Sequence, residues 1–109
     1  MTKTLLFGKL VRDRVPEIII GRGEAATWHI ADQEEYDRLL REKLSEEVAE
    51  TLANPSLTEF SDVLEVIDAM AQAKGLTFDD VLKAKQERAE KRGGFTKRMI
   101  LDTADEMKP

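Results

Sequence analysis

Apolar side chains recur at helical spacing over residues 33–53: Tyr36, Leu39, Leu40, Leu44, Val48 and Leu52, with Thr51 on the same stripe. Asp32 stands just before the stripe as an N-cap, and Glu35 follows three residues later in a capping-box pattern. A helix is predicted over 33–53. A second stripe, Leu57, Phe60, Val63, Leu64, Ile67, Met70 and Ala71, predicts a helix from Leu57 to Lys74. Gly75 is its stop. Only Asn54-Pro55-Ser56 separates the two stripes, so the helices are expected to fold back as an antiparallel hairpin.

The flanks are less regular. Residues 1–12 read as irregular or extended. Asp13 to Pro16 reads as a helix start, because proline in the first turn loses no hydrogen bond. Glu17-Ile18-Ile19-Ile20 then runs into Gly21-Arg22-Gly23, a stop; the three isoleucines are equally compatible with a strand. Ala25 to Ala31 reads as extended. Thr77 is a cap for a later helix, with Asp80 three residues on, that runs to Arg92 and ends at Gly93-Gly94. Phe95 to Leu101 is a short, extended segment, and Asp102 to Pro109 an acidic, frayed end. The expected fold is all-α. It is one domain over 1–109: a helical hairpin at the core of a four-helix-type bundle, with short extended N- and C-terminal segments, completed by oligomerisation.

The polar positions that break the stripes carry the chemistry. On a wheel of about 100° per residue, Glu47 falls between Leu40 and Tyr36, inside the apolar arc. Glu50 falls at the edge of that arc, near Leu39, and Glu46 lies further out. Glu59 and Asp62 flank one edge of the second stripe, Asp68 flanks the other, and Glu65 points away. In an antiparallel hairpin with a tight turn, residues whose numbers share one sum lie level. Glu50 with Glu59 and Glu47 with Asp62 share it. Four carboxylates are therefore expected across one seam. A carboxylate on the buried side of a helix is costly unless paired or bound to a metal. Mg2+ is the natural candidate, with Mn2+ as its substitute, because hard cations take oxygen ligands and hold phosphates as well.

Each of these residues also has an ordinary reading. Glu46, Glu47 and Glu50 fit a solvated face with a Lys43–Glu47 ion pair. Glu59 fits a capping-box partner of Ser56. Trp28 is more often a core anchor than a stacking platform. His29 is the single histidine and the chain has no cysteine, which leaves triad-type nucleophilic catalysis without its parts. Disulfides and thiolate metal sites are excluded.

Composition adds bounds. A chain of 109 residues buries a modest fraction of its surface, which favours oligomerisation. The net charge of −5 argues against broad nucleic-acid binding. Basic clusters at Lys9/Arg12/Arg14 and Lys91/Arg92/Lys97/Arg98 remain as candidate phosphate contacts. No apolar run approaches the ~20 residues of a membrane span, and Gly8-Lys9 interrupts the only N-terminal apolar stretch, so a cytoplasmic protein without a signal peptide is expected.

The pattern Glu46-Glu47-x-x-Glu50 followed by Glu59-x-x-Asp62 resembles the EExxE…ExxD signature of the MazG-like all-α nucleoside triphosphate pyrophosphohydrolases. Lys9-Leu10-Val11-Arg12-Asp13-Arg14-Val15-Pro16-Glu17-Ile18-Ile19 and Lys91-Arg92-Gly93-Gly94-Phe95 are similar to a small phosphoribosyl-ATP pyrophosphohydrolase-like branch. The spacer between Glu50 and Glu59 is shorter than in many relatives. The resemblance implies Mg2+ held by Glu47, Glu50, Glu59 and Asp62, with Glu46 as the remaining signature acid. Glu46 or Glu47 is then the group that orients the attacking water. It implies hydrolysis of a nucleoside triphosphate to monophosphate and pyrophosphate, as in nucleotide-pool house-cleaning, by a homodimer or homotetramer. Arg12, Arg14, Lys91, Arg92 and Arg98 are the candidates for phosphate contacts. Two other readings stand beside it: a non-catalytic helical module that binds nucleotide or protein through a degenerate acidic site, and a purely structural helical module.

Overall fold

The computed structural model describes residues 8–105. Among them are four α-helices and no strand: α1 (Val15–Gly21), α2 (Gln33–Ala53), α3 (Leu57–Ala73) and α4 (Phe78–Arg92). The chain divides into two compact units, one ending at Thr77 and the other starting at Phe78.

In the first unit, α2 and α3 pack against each other as the expected hairpin. Both starts are capped as the sequence indicates. The backbone N–H of Glu35 donates to Asp32 Oδ1 at 2.9 Å, and that of Glu59 to Ser56 Oγ at 3.3 Å. In neither case does the glutamate side chain close the reciprocal half of a capping box. The Glu35 carboxylate pairs with His29 Nε2 at 2.8 Å, and that of Glu59 faces the hairpin seam. The end of α3 is set by Gly75 at φ 77°: Gly75 N–H donates to Gln72 O and Leu76 N–H to Ala71 O. This pair of bonds satisfies two end carbonyls, and the left-handed turn that it needs favours glycine. Gly23, at φ 82°, ends α1 in the same way. The three isoleucines are therefore helical. Where a strand was equally compatible, the flanking Pro16 and Gly23 decide.

The apolar residues that the hairpin buries, among the described residues, are Leu39 and Leu40 of α2 with Val66 and Ala71 of α3. Burying a leucine such as Leu40 contributes about 2 kcal/mol. The rest of both stripes is only partly covered: Val48, Leu52, Leu57, Phe60 and Leu64 are all exposed. No helix among the described residues is long and apolar enough to cross a membrane.

The segment before α2 has no regular structure, in line with an extended reading of residues 25–31. In the second unit, α4 ends at Arg92 and a turn over 95–97 follows, with Arg98 at φ 61°. Of the run 95–101 that the sequence suggested as extended, residues 95–97 form a bend and turn, and 98–101 have no regular structure. The expectations for residues 1–7 and 106–109 lie outside the described residues.

Candidate metal centre

The seam of the hairpin brings together the carboxylates that the level pairing selects. Oxygen atoms of Glu47, Glu59 and Asp62 lie within 4.8 Å of one another, as do those of Glu46, Glu47 and Glu50. Glu47 belongs to both groups and is the hinge of the cluster. Among the described residues it is also the one buried charged side chain, at 7% exposure. Glu46, Glu59 and Asp62 are half-buried and Glu50 is exposed. Asp68 is turned elsewhere and accepts a hydrogen bond from Gln72 Nε2 at 3.0 Å.

Thr51 ties the two helices beside the cluster. Its hydroxyl lies 2.8 Å from Glu47 O within α2 and 3.4 Å from Glu59 O across the seam. One proton serves both carbonyls in turn. This side chain thus links the backbones that carry Glu47 and Glu59.

The electrostatics follow from crowding. Glu47 has its pKa raised above the ordinary 4.5, chiefly by burial, then by the charge of Glu50, a hydrogen bond shared with Glu50, and the charge of Asp62. Lys43 works against these causes from 3.7 Å. Glu59 is raised as well, by desolvation first and then by Glu50 and Asp62. Glu47 Oε2 and Glu59 Oε2 are both buried without a hydrogen-bond partner. A buried polar atom left unbonded costs about 1–3 kcal/mol, more when charged. Two such atoms facing one seam make it a place where a proton or a cation is favoured.

A pH dependence follows. A group whose folded pKa is raised binds its proton more tightly in the native state. Its stabilising contribution is full below 4.5 and is lost as pH rises through the raised value. The metal-free wild type is therefore expected to lose stability relative to Glu47→Gln as pH climbs above 4.5. Urea midpoints of the two proteins between pH 4 and pH 8 measure this; a gap that stays constant would discard the carboxylate as its cause.

Cations surround the acids. Lys43 Nζ lies 3.6 Å from Glu46 and 3.7 Å from Glu47, at the i,i+3 and i,i+4 spacings legible in the sequence. Lys9 Nζ lies 3.6 Å from Glu46 Oε1. Arg12 Nη2 donates to Asp62 Oδ1 at 2.6 Å. Arg14 turns away to Glu17 of its own helix, at 2.7 Å. Lys91 and Arg92 close α4, and they and Arg98 belong to the second unit. Of the residues expected to contact phosphate, Arg12 and Lys9 are those that the first unit places on the acidic cluster, Arg12 on Asp62 and Lys9 on Glu46. Sequence spacing offers no sign of the Arg12 partner, because Arg12 and Asp62 are 50 residues apart.

Comparisons with family models, characterised proteins and solved structures find no match to this chain.

Proposed function

We propose that this protein is a Mg2+-dependent nucleoside triphosphate pyrophosphohydrolase that cleaves the α–β phosphoanhydride to give nucleoside monophosphate and pyrophosphate. The observation that carries the reading is the pair of buried, unpartnered carboxylate oxygens on Glu47 and Glu59, with Glu50 and Asp62 beside them. A helix seam built only for stability would not bury two such atoms in one carboxylate cluster. An oxygen-only donor set suits Mg2+, with Mn2+ as a substitute. Glu47, Glu50, Glu59 and Asp62 are the residues that would hold the ion. A bound divalent cation supplies neutralisation of phosphate charge and a lower pKa for water.

The chain's own groups have separate tasks in this reading. Glu46 sits at the rim, where a carboxylate accepts a proton from an attacking water and orients it. Lys43 and Lys9 flank Glu46, each 3.6 Å from one of its oxygens. Arg12 places a guanidinium beside Asp62, a donor that matches phosphate oxygens. The signature resemblance supplies the choice of nucleoside triphosphate, and nucleotide-pool house-cleaning, in the cytoplasm, is the setting it fits.

The proposal includes a homo-oligomer, a dimer or a dimer of dimers. Leu52 is 78% exposed and Leu57 84%, and they lie level at the turn end of the hairpin, with Val48, Phe60 and Leu64 next along the same two helices. A second hairpin of the same kind would cover these residues and complete a four-helix arrangement.

The test is a product assay. Wild type and Asp62→Asn are incubated with a panel of canonical and modified nucleoside triphosphates, with Mg2+ and with chelator. Monophosphate and pyrophosphate are expected, lost on chelation and at least about 100-fold slower in Asp62→Asn, the upper end of what even outer-shell changes cost. Diphosphate with phosphate would overturn the bond assignment. Nucleotide binding by calorimetry with no turnover across the panel would favour a binding module instead.

A further inference from the structure

The ion pair between Arg12 and Asp62 differs from most others in the first unit. The pairs of Arg14, Arg38 and Lys43 join residues three or four apart on one helix. Arg12 instead crosses 50 residues to reach an acid of the cluster, at 2.6 Å. Its own neighbours Asp13 and Glu17 were closer at hand in sequence. Its backbone is fixed, because its carbonyl accepts the Val15 N–H at 3.0 Å in the turn that opens α1. Only the side chain is free to swing, and it is 57% exposed, so exchange with solvent is easy.

Opposite it, Glu47 is more than nine-tenths buried and keeps Oε2 unpartnered. The cluster therefore meets an arginine on its Asp62 side, while on its Glu47 side Lys43 reaches Oε1 from 3.7 Å and Oε2 stays unpartnered. A guanidinium and a divalent cation drawn to one carboxylate repel each other across a few ångströms. They are competitors for Asp62.

We propose that Arg12 is a tethered stand-in cation: it holds Asp62 in the ion-free protein, gives it up when a divalent cation is bound, and then receives phosphate. This rests on the metal reading of the cluster given above. Lys9 does the same for Glu46 more loosely, at 3.6 Å. The guanidinium suits the second role because its planar fork matches phosphate oxygens. Arg12 thus keeps the acids from repelling one another until their ligand arrives, and delivers a cation to the anion that follows.

The two roles give effects of opposite sign in one variant, which a merely structural residue would not. Calorimetry with Mn2+ alone, at low ionic strength, compares the wild type with Arg12→Gln. Inorganic pyrophosphate is then titrated into each protein at saturating Mn2+. Arg12→Gln is expected to bind Mn2+ about two- to fivefold more tightly, since an exposed competing pair is lost. It is expected to bind pyrophosphate about tenfold more weakly, the scale of one charge-assisted contact. Equal or weaker Mn2+ binding by Arg12→Gln overturns the competition. Unchanged pyrophosphate binding overturns the hand-over. If neither protein binds Mn2+, the metal reading fails and takes this inference with it, whereas equal binding by both proteins overturns this inference alone.

Discussion

Glu47→Gln is expected to make the metal-free protein more stable and to remove its activity together. The wild-type carboxylate is 7% exposed, has one oxygen without a partner, and shares its space with Glu50 and Asp62. Glutamine keeps the shape, removes the charge and offers two N–H donors to the acids around it. The substitution weakens the 3.7 Å pair with Lys43. Relief of the buried charge is worth about 1–2 kcal/mol on the scale of unsatisfied polar groups. For a domain of this size that is roughly 5–10 °C in Tm. The same substitution takes a charged ligand from the centre of the cluster. Turnover should fall by more than about 100-fold, and Mg2+ should no longer raise Tm. In the wild type, Mg2+ at about 100 times its Kd should raise stability by about 2.7 kcal/mol. Thermal melts with Mg2+ and with chelator, beside the product assay, decide this. A variant that melts lower than wild type without metal, or that keeps full Mg2+-dependent turnover, would remove Glu47 from the centre. Gain of stability with loss of function is the signature of a site held in a strained state for its ligand.

Phe60→Glu is expected to break the oligomer while leaving the hairpin folded. Phe60 is half-exposed on α3 and is flanked on its stripe by Leu57 and Leu64. It is absent from the buried set of Leu39, Leu40, Val66 and Ala71, so a charge at this position does not enter the hairpin core. Loss of an aromatic anchor from an interface costs about 2 kcal/mol. A two-fold interface carries the change twice, which makes about 4 kcal/mol, or roughly a thousandfold in dissociation constant. Sedimentation velocity at micromolar concentration should show the wild type as an oligomer and Phe60→Glu as a monomer with the same helical circular dichroism. A wild type that sediments as a monomer would rule out self-association through this face.

The two variants also separate the parts of the proposal. Glu47→Gln acts inside the seam of one hairpin, and Phe60→Glu acts on the face of α3 that the hairpin leaves uncovered. If the dimer completes the site, Phe60→Glu lowers turnover in proportion to the monomer fraction. If each hairpin is sufficient, turnover survives dissociation.

The fold was legible in the sequence because its signals are local. The stripes of α2 and α3, the caps Asp32 and Ser56, and the stop at Gly75 each act within a turn or two of the chain. With a three-residue break, that is enough to fix an antiparallel hairpin. The position of Glu47 inside an apolar arc was visible for the same reason: a wheel needs only the periodicity of one helix. The level pairing of Glu47 with Asp62 followed from the tight turn, which transmits register from one helix to the other.

The capping boxes were only half legible. Ser56 and Asp32 bond the backbone as their positions dictate, but the side chains of Glu59 and Glu35 go to other partners. A long side chain chooses among neighbours in space, and sequence spacing does not rank them.

By itself, then, the sequence determined the helices, their antiparallel pairing and which carboxylates meet across the seam, because helical periodicity and a short turn leave little freedom. Tertiary structure alone decided which oxygens are buried without a partner, that Thr51 bridges the two backbones, and that Arg12 rather than Arg14 reaches Asp62. The reason is physical. The first two depend on how side chains pack between α2 and α3, and the third on where the segment ahead of α1 lies, a contact of which 50 residues of intervening chain carry no local signal.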